Sequence, residues 1–289
     1  MKKQPLIILG MHRSGTSLVA RCLDDIGLYT GSSKDDNFES VFFLDLNNWM
    51  MRSCHASWDN PRSFKFMSSV VEKELLRVIE LQMRSFFRRR RYLGTRKALK
   101  YKDLRDLDFP WGWKDPRNTF TIDLWQKIFP ECRMLHVYRH PVDVAASLSL
   151  REEKEKEKTR AGRRRTLINR LKEYFVRGTV LYQTSVRADH VFESITIWED
   201  YVNRALVLDE SRMMHIRYED FVLKPVEHLE RIAEFAGLDF DERTAKAAAE
   251  RIDKSRRFPF MKDEELKEVY EEIRHRPLMK RLGYSGPGK

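Results

Sequence analysis

Two stretches of this chain carry residue types suited to handling anions. Gly10-Met11-His12-Arg13-Ser14-Gly15-Thr16-Ser17 encloses a cation and a hydroxyl between two glycines, with two more hydroxyls behind. It follows the apolar run Leu6-Ile7-Ile8-Leu9 and precedes Leu18, Cys22, Leu23 and Ile26 at helical spacing, with Gly27 where a C-cap belongs. A glycine-bounded loop that opens a helix aims backbone N–H groups at a ligand, and the helix dipole favours negative charge there. Arg13 adds a cation, and Ser14, Thr16 and Ser17 add hydroxyl donors, so the loop suits a phosphate or a sulfate. The second stretch, Trp113-Lys114-Asp115-Pro116-Arg117, puts two cations and a carboxylate where a second strand meets a second helix. That is the edge of an open α/β sheet at which ligands bind.

The spacing of Gly10 and Gly15 matches a nucleoside-triphosphate P-loop, but Thr16 follows where that loop has lysine. The cation has moved inside the loop. The same glycines also suit a plain tight turn, so the loop alone leaves both readings open.

The remaining elements are those that must hold these loops. Arg133-Met134-Leu135-His136-Val137-Tyr138 reads as a buried strand closed by Arg139-His140-Pro141, with Pro141 in the first turn of the next helix. Asp-Pro ends the strand before it, and Asn118 is expected to cap the helix through Ile122, Trp125 and Ile128. A helical pattern through Val71, Leu75, Ile79 and Phe86 runs into a basic cluster from Arg84 to Lys102, read as a solvated helix end and loop or as a surface for a polyanion or anionic head groups. Met213 to Tyr218 is a short strand, and Pro225 opens a helix that ends at Gly237. Alternating strands and helices predict an α/β fold built on a parallel sheet. With neither repeat nor flexible linker, one domain over residues 1–289 is expected, with a charged lid or insertion around residues 151–190.

Composition narrows the class. The chain has 289 residues, 34% of them charged and 42% apolar, which is a folded protein with a sizeable core. A net charge of +11 calls for an acidic partner: a nucleotide, an anionic glycan, a membrane surface or nucleic acid. Cys22, Cys54 and Cys132 are scattered, without a zinc spacing, and read as reduced thiols of a cytoplasmic protein. No run is long enough to span a bilayer, and Leu6 to Leu9 is too short for a signal peptide, so contact with membranes is expected to be peripheral at most.

Taken together, these residues resemble the sulfotransferases that use 3′-phosphoadenosine 5′-phosphosulfate (PAPS). Gly10 to Ser17 is similar to their 5′-phosphosulfate loop. Tyr138-Arg139-His140-Pro141 followed by Ser147 resembles their 3′-phosphate motif, an arginine at a strand end and a serine two helical turns later. Trp113 to Arg117, and Tyr218-Glu219-Asp220 with Pro225, resemble segments of the bacterial, glycan-type branch. The resemblance implies a P-loop-like parallel sheet with helices on both faces and transfer of a sulfuryl group from PAPS to an acceptor hydroxyl, with 3′,5′-adenosine bisphosphate as product and no metal.

It also implies roles. Arg13 with Ser14, Gly15, Thr16 and Ser17 would hold the 5′-phosphosulfate. Arg139 and Ser147 would hold the 3′-phosphate, with Arg256 and Arg257 as late contacts. Glu39 corresponds to the branch's general base, with His12 and His55 as alternatives, while Lys114 would steady the sulfonate. Arg117 would order the strand ends, with Asp115 as structural partner to both cations. His136 and His140 are read as structural. The acceptor is expected to be a saccharide or glycolipid, on whose rings Trp58, Trp111 and Trp113 could stack, and no specific nucleic acid is expected. Two further readings stand beside this one. A kinase with a divergent P-loop would need ATP and Mg²⁺, and a polyanion-binding protein would show steeply salt-dependent binding without turnover.

Overall fold

The computed structural model describes residues 2–163 and 185–286. Four parallel strands form one sheet in the order β2-β1-β3-β4: β1 (Leu6–Leu9), β2 (Gly112–Lys114), β3 (Arg133–Tyr138) and β4 (Met213–Arg217). The fold is thus α/β, a parallel sheet flanked by helices.

The apolar runs explain the layers. Ile7 and Leu9 of β1 face one core with Phe43, Trp113, Trp125 and Met134, while Leu6 and Ile8 face a second with Val19, Leu23, Leu135 and Val137. Both faces of the strand are buried, which is why it reads as an unbroken apolar run instead of an alternating one. Each such side chain stabilises the fold by about 1.5–3 kcal/mol.

Helices fill both cores. α1 spans Thr16–Asp25, α2 Val41–Ser53, α3 Ser69–Arg84, α4 Phe86–Lys100 and α5 Asn118–Ile128; α6 spans Pro141–Arg163 and α7 Val191–Ala205. After β4 come α8 (Tyr218–Leu223), α9 (Pro225–Ala236), α10 (Glu242–Glu250), α11 (Glu264–Ile273) and α12 (Pro277–Arg281). α1 ends in a Schellman turn: Leu28 N–H donates to Leu23 O and Gly27 N–H to Asp24 O, with Gly27 at φ 107°. Among the described residues, no helix is long and apolar enough to cross a membrane.

The chain divides into two compact units, Met1–Arg139 with Asp200–Phe258, and His140–Glu199 with Pro259–Lys289. The sheet and both apolar cores lie in the first. In the second, α6 is tied down by Asp143, which accepts from Phe260 N–H at 3.0 Å, and His140 stacks on Phe260 at 4.3 Å. Of the expected charged lid, residues 164–184 lie outside the described residues.

Three sequence expectations need correcting. Asn118 is the first residue of α5 and not its cap, because its side chain is taken up by the core, where Nδ2 donates to Ile8 O. The basic cluster does not trail off as a loop: α3 stops at Arg84, and Arg88 to Arg91 belong to the separate helix α4. Trp111 and Trp113 are 1% and 0% exposed, packed around Phe43, and so give no platform for a sugar. α2 buries Phe42, Phe43, Leu46, Asn47, Met50 and Met51, a stripe along one side of the helix.

Candidate active site

The C-terminal ends of the four strands carry Gly10, Lys114, Arg139 and Arg217. The chain leaves β1 toward β2 on one side and later continues from β3 to β4 on the other. The edge between β1 and β3 is therefore the switch point at which an open sheet forms a crevice. The Gly10–Gly15 loop follows one of those strands and Arg139 the other.

The loop is held by close packing. Gly10 has φ 144°, and a Cβ there would stand 2.2 Å from Val137 O. Gly15 has φ 90°, and a Cβ would meet the Tyr218 ring at 2.1 Å. Arg13, exposed at the loop tip, takes the left-handed φ of 68°. Leu18 and Val19 N–H donate to Gly15 O and begin the helical ladder, so the amides of Thr16 and Ser17 stand ahead of it. No side chain caps this helix. Ser14 is fully buried, and its Oγ has no hydrogen-bond partner among the described residues. Such a hydroxyl costs about 1–3 kcal/mol unless something accepts or donates to it. Oxygens of a phosphate or sulfate group are suited to receive it together with the leading amides, so the loop fits a phosphosulfate.

Tyr218, which sequence reasoning missed as a site residue, links the loop to Arg139. Its ring lies against Gly15 on one side, and the Arg139 guanidinium stands 4.7 Å from its centroid. Arg139 Nη2 donates to Arg256 O at 3.0 Å, so Arg256 reaches this corner through its backbone. The Arg256 side chain is 68% exposed and faces Asp253 at 3.6 Å, while Arg257 lies 5.9 Å from the Phe258 ring centroid. Ser147 lies half-buried on α6, two turns from its start, in the second unit.

On the other flank, a compact turn delivers Glu39. Asp35 Oδ1 accepts from the N–H groups of Asn37 and Glu39 at 3.0 and 2.7 Å, and Phe38 is forced to φ 64°. A bulky residue in that region is strained by about 1–2 kcal/mol, which the surrounding hydrogen bonds must offset. Glu39 Oε1 then accepts from Lys114 Nζ at 2.9 Å, and Oε2 from Arg117 Nη1 at 3.2 Å. Lys114 also donates to Asn37 O at 3.0 Å, and the same carbonyl accepts from Ser17 Oγ at 2.6 Å. The carboxylate thus lies three hydrogen bonds from the first turn of α1.

Arg117 donates in addition to Asp115 Oδ1 at 2.9 Å. Asp115 therefore partners one of the two cations it was expected to hold, and Lys114 goes to Glu39 instead. Beneath them Asn47 Nδ2 donates to Asp115 and to Asn118 Oδ1, each at 2.8 Å. Thr121 and Trp125 donate to Asn47 Oδ1 at 2.9 Å. Two cations, two carboxylates and two amides form one buried hydrogen-bonded network, which fixes side-chain positions, with Arg117 Nε the donor in it that has no partner among the described residues.

Burial raises the Glu39 pKa, but Lys114 and Arg117 outweigh it and hold the carboxyl below its ordinary value. Asp115 shifts upward, through burial and the nearby charge of Glu39, against the pull of Arg117. His12, half-buried in the loop, meets Trp58 edge-on at 4.8 Å. His136 is buried against His215, with Nδ1 atoms 2.9 Å apart, and burial with that neighbour pushes its pKa down to about 3, so it stays neutral. Among the described residues there is no group of three His, Cys, Asp or Glu able to hold a metal.

Comparison with known proteins gives this arrangement a family. A likeness in fold runs to a sulfotransferase, STF9, from Mycobacterium avium (16% identity, 94% of this chain and 76% of that one, TM-score 0.45). Others are the sulfotransferase domain of the Synechococcus PCC 7002 olefin synthase (18%, 84% and 77%, 0.43) and that of the curacin biosynthetic pathway (16%, 99% and 94%, 0.43). No curated protein sequence matches the chain. The model of the sulfotransferase family matches residues 5–242, from the first residue before β1 to the start of α10. This chain belongs to that family and is an enzyme of PAPS-dependent sulfuryl transfer.

Proposed function

We propose that the enzyme moves the sulfuryl group of PAPS to a hydroxyl of a saccharide or glycolipid, with Glu39 as general base. The observation that carries this reading is the run of contacts from Ser17 through Asn37 O and Lys114 to Glu39, which sets a carboxylate beside the phosphosulfate loop. The acceptor class rests on the resemblance of Trp113 to Arg117 to the glycan-type branch.

In this reading Arg13, the amides from Ser14 to Ser17 and the hydroxyls of Ser14 and Thr16 hold the 5′-phosphosulfate, while the Ser17 hydroxyl keeps its bond to Asn37 O. Arg139 holds the 3′-phosphate, with Arg256 and Arg257 at its margin. Glu39 takes the proton of the acceptor hydroxyl while that oxygen attacks sulfur in line. The bond from sulfur to the bridging oxygen breaks, and 3′,5′-adenosine bisphosphate leaves with the electron pair. Preset donors at the loop stabilise the charge that develops on the bridging oxygen. Positioning and fixed charge carry most of the work, as in phosphoryl transfer.

A carboxylate gripped by two cations is a weak base. Lys114 is the partner able to relax this, because its ammonium is drawn to an incoming sulfonate, which frees one Glu39 oxygen and raises its basicity. Arg117 keeps the other oxygen oriented. His12 is the second candidate base, supported by its place inside the loop.

The test is calorimetric titration with 3′,5′-adenosine bisphosphate, beside ATP with Mg²⁺, followed by transfer of labelled sulfate to a panel of saccharides and glycolipids. Tight bisphosphate binding that Arg139→Ala removes is expected. Binding of ATP with Mg²⁺ alone would overturn the reading in favour of a kinase. Turnover retained in Glu39→Gln and lost in His12→Ala would move the base to His12.

A further inference from the structure

The transfer chemistry leaves one strongly charged face of the first unit unused. α4 carries Arg88, Arg90 and Arg91 before a kink at Gly94 (φ 72°) and Arg96, Lys97 and Lys100 after it, and contains no acidic residue. Arg89 is the exception in placement: it is buried and donates to the carbonyls of Met83, Arg84 and Ala98, locking the corner between α3 and α4. With that side chain turned inward, its neighbours Arg88 and Arg90 are exposed. Among the described residues, Arg88, Arg90 and Arg96 form no ion pair, whereas Arg91 meets Asp45 at 2.6 Å.

Apolar groups interrupt this charge. Phe87 is 73% exposed and Leu81 54%, on either side of the turn at Ser85. A cavity of about 310 Å³ between α2, α3 and α4 is lined by the apolar Phe42, Leu46, Trp49 and Val78, with Gln82, Arg88 and the Arg91–Asp45 pair completing it. Trp49 is 37% exposed. Single exposed apolar residues are ordinary. A bare phenylalanine beside Arg88 and Arg90, on a helix whose Arg88 and Arg91 line a largely apolar cavity, is amphipathic in the way an interfacial helix is.

We propose that this α2–α3–α4 face docks on an anionic phospholipid bilayer. Phe87 and Leu81 enter the headgroup boundary, Arg88, Arg90 and Arg96 meet lipid phosphates, and Trp49 lies at the interface as tryptophan does in membrane proteins. The cavity seats the apolar part of one lipid beside Arg88 and Arg91. Charge complementarity selects an anionic surface, and the exposed apolar crest selects a bilayer over a nucleic acid, whose phosphates need cations alone. The inference stands apart from the transfer reading, since it uses neither donor nor acceptor.

The test is sedimentation of the whole protein with vesicles of phosphatidylcholine alone and of phosphatidylcholine mixed with phosphatidylglycerol. Binding is expected on the mixed vesicles only, weakening as salt rises from about 0.1 M to about 0.5 M. Each juxtaposed cation contributes about fivefold to partitioning, so the triple variant Arg88→Ala/Arg90→Ala/Arg96→Ala should lose about a hundredfold. Phe87→Ala should lose about tenfold with its salt dependence unchanged. Thermal unfolding checks that the variants fold, and Arg90→Glu alone reads the same face if the triple variant does not. No binding to mixed vesicles, or binding that these substitutions leave intact, would overturn the proposal. So would charge variants that lose vesicles and heparin alike while Phe87→Ala binds as well as wild type, which marks a polyanion surface.

Discussion

The first unit holds cations in two opposite ways. At the end of β2, Lys114 and Glu39 have side chains 2% and 3% exposed, and each charge has a partner within 3.2 Å. On α4, Arg88 and Arg90 are exposed, with no ion pair among the described residues. A buried charge costs several kcal/mol unless it is paired, so the β2 cluster is compelled to balance its signs. It projects little net field and acts instead through fixed geometry. The α4 face is solvated, so its charges can remain unbalanced and attract from a distance. A net charge of +11 therefore says little about the transfer site.

The largest effect should come from breaking the balance at its centre. In Glu39→Gln the carboxylate is lost while shape is kept, and turnover should fall by about 10²–10⁴-fold, the usual weight of a general base. Titration with 3′,5′-adenosine bisphosphate should show donor-site affinity within a few-fold of wild type. A variant with full activity would remove Glu39 from the chemistry.

Next in size is the structural cost of the same pairing. Lys114→Met leaves the buried Glu39 with Arg117 alone and should destabilise the fold by about 3–5 kcal/mol, read as a lower urea midpoint. The double variant Lys114→Met/Glu39→Gln should recover part of this, because the uncompensated charge is gone. An unchanged midpoint in Lys114→Met would mean that the cluster is open to water.

Acid tests the same cluster more gently. The folded pKa of Glu39 lies below its unfolded value. Its contribution to stability is thus complete above the ordinary carboxylate range and is lost as pH falls through the lower, folded value. With Glu39 as base, kcat/KM should show no acidic limb from this group at or above the ordinary carboxylate value. Arg117→Met should move a limb upward into the measurable range, since one of the two cations that hold the pKa down has gone. A wild-type limb near the histidine range that His12→Ala abolishes would instead assign the base to His12.

How far the sequence reveals these regions follows from the reach of their contacts. β1, the loop glycines and Arg139 lie within short, continuous stretches, and strand, turn and helix chemistry is visible there. The pairing of Glu39 with Lys114 joins positions 75 apart, and spacing along the chain carries no sign of it. Asn47 and Asn118 are invisible for another reason: buried amides in helices read as ordinary polar positions until Asp115 and Ile8 O are brought against them. Tyr218 was visible as part of a family-like segment, but only Gly15 and Arg139 packing on its ring reveal what it does. The α4 arginines were plain in the sequence, whereas the break at Ser85 that turns Phe87 outward was not.

The smallest predicted effect sharpens the contrast inside a single helix. Arg88 and Arg91 stand three residues apart on α4, where like charges repel by about 0.2–0.5 kcal/mol. Arg88→Ala should therefore leave folding stability within about 0.5 kcal/mol of wild type, with any gain present at low salt and gone at high salt. Arg89→Met removes the donor shared by three carbonyls and should cost about 1–3 kcal/mol at either salt, because that guanidinium is buried. Urea unfolding of both variants at two ionic strengths separates the two kinds of cation. If Arg88→Ala also lost more than about 1 kcal/mol without salt dependence, the α4 arginines would be part of the framework and the distinction between paired and projecting charge would fail there.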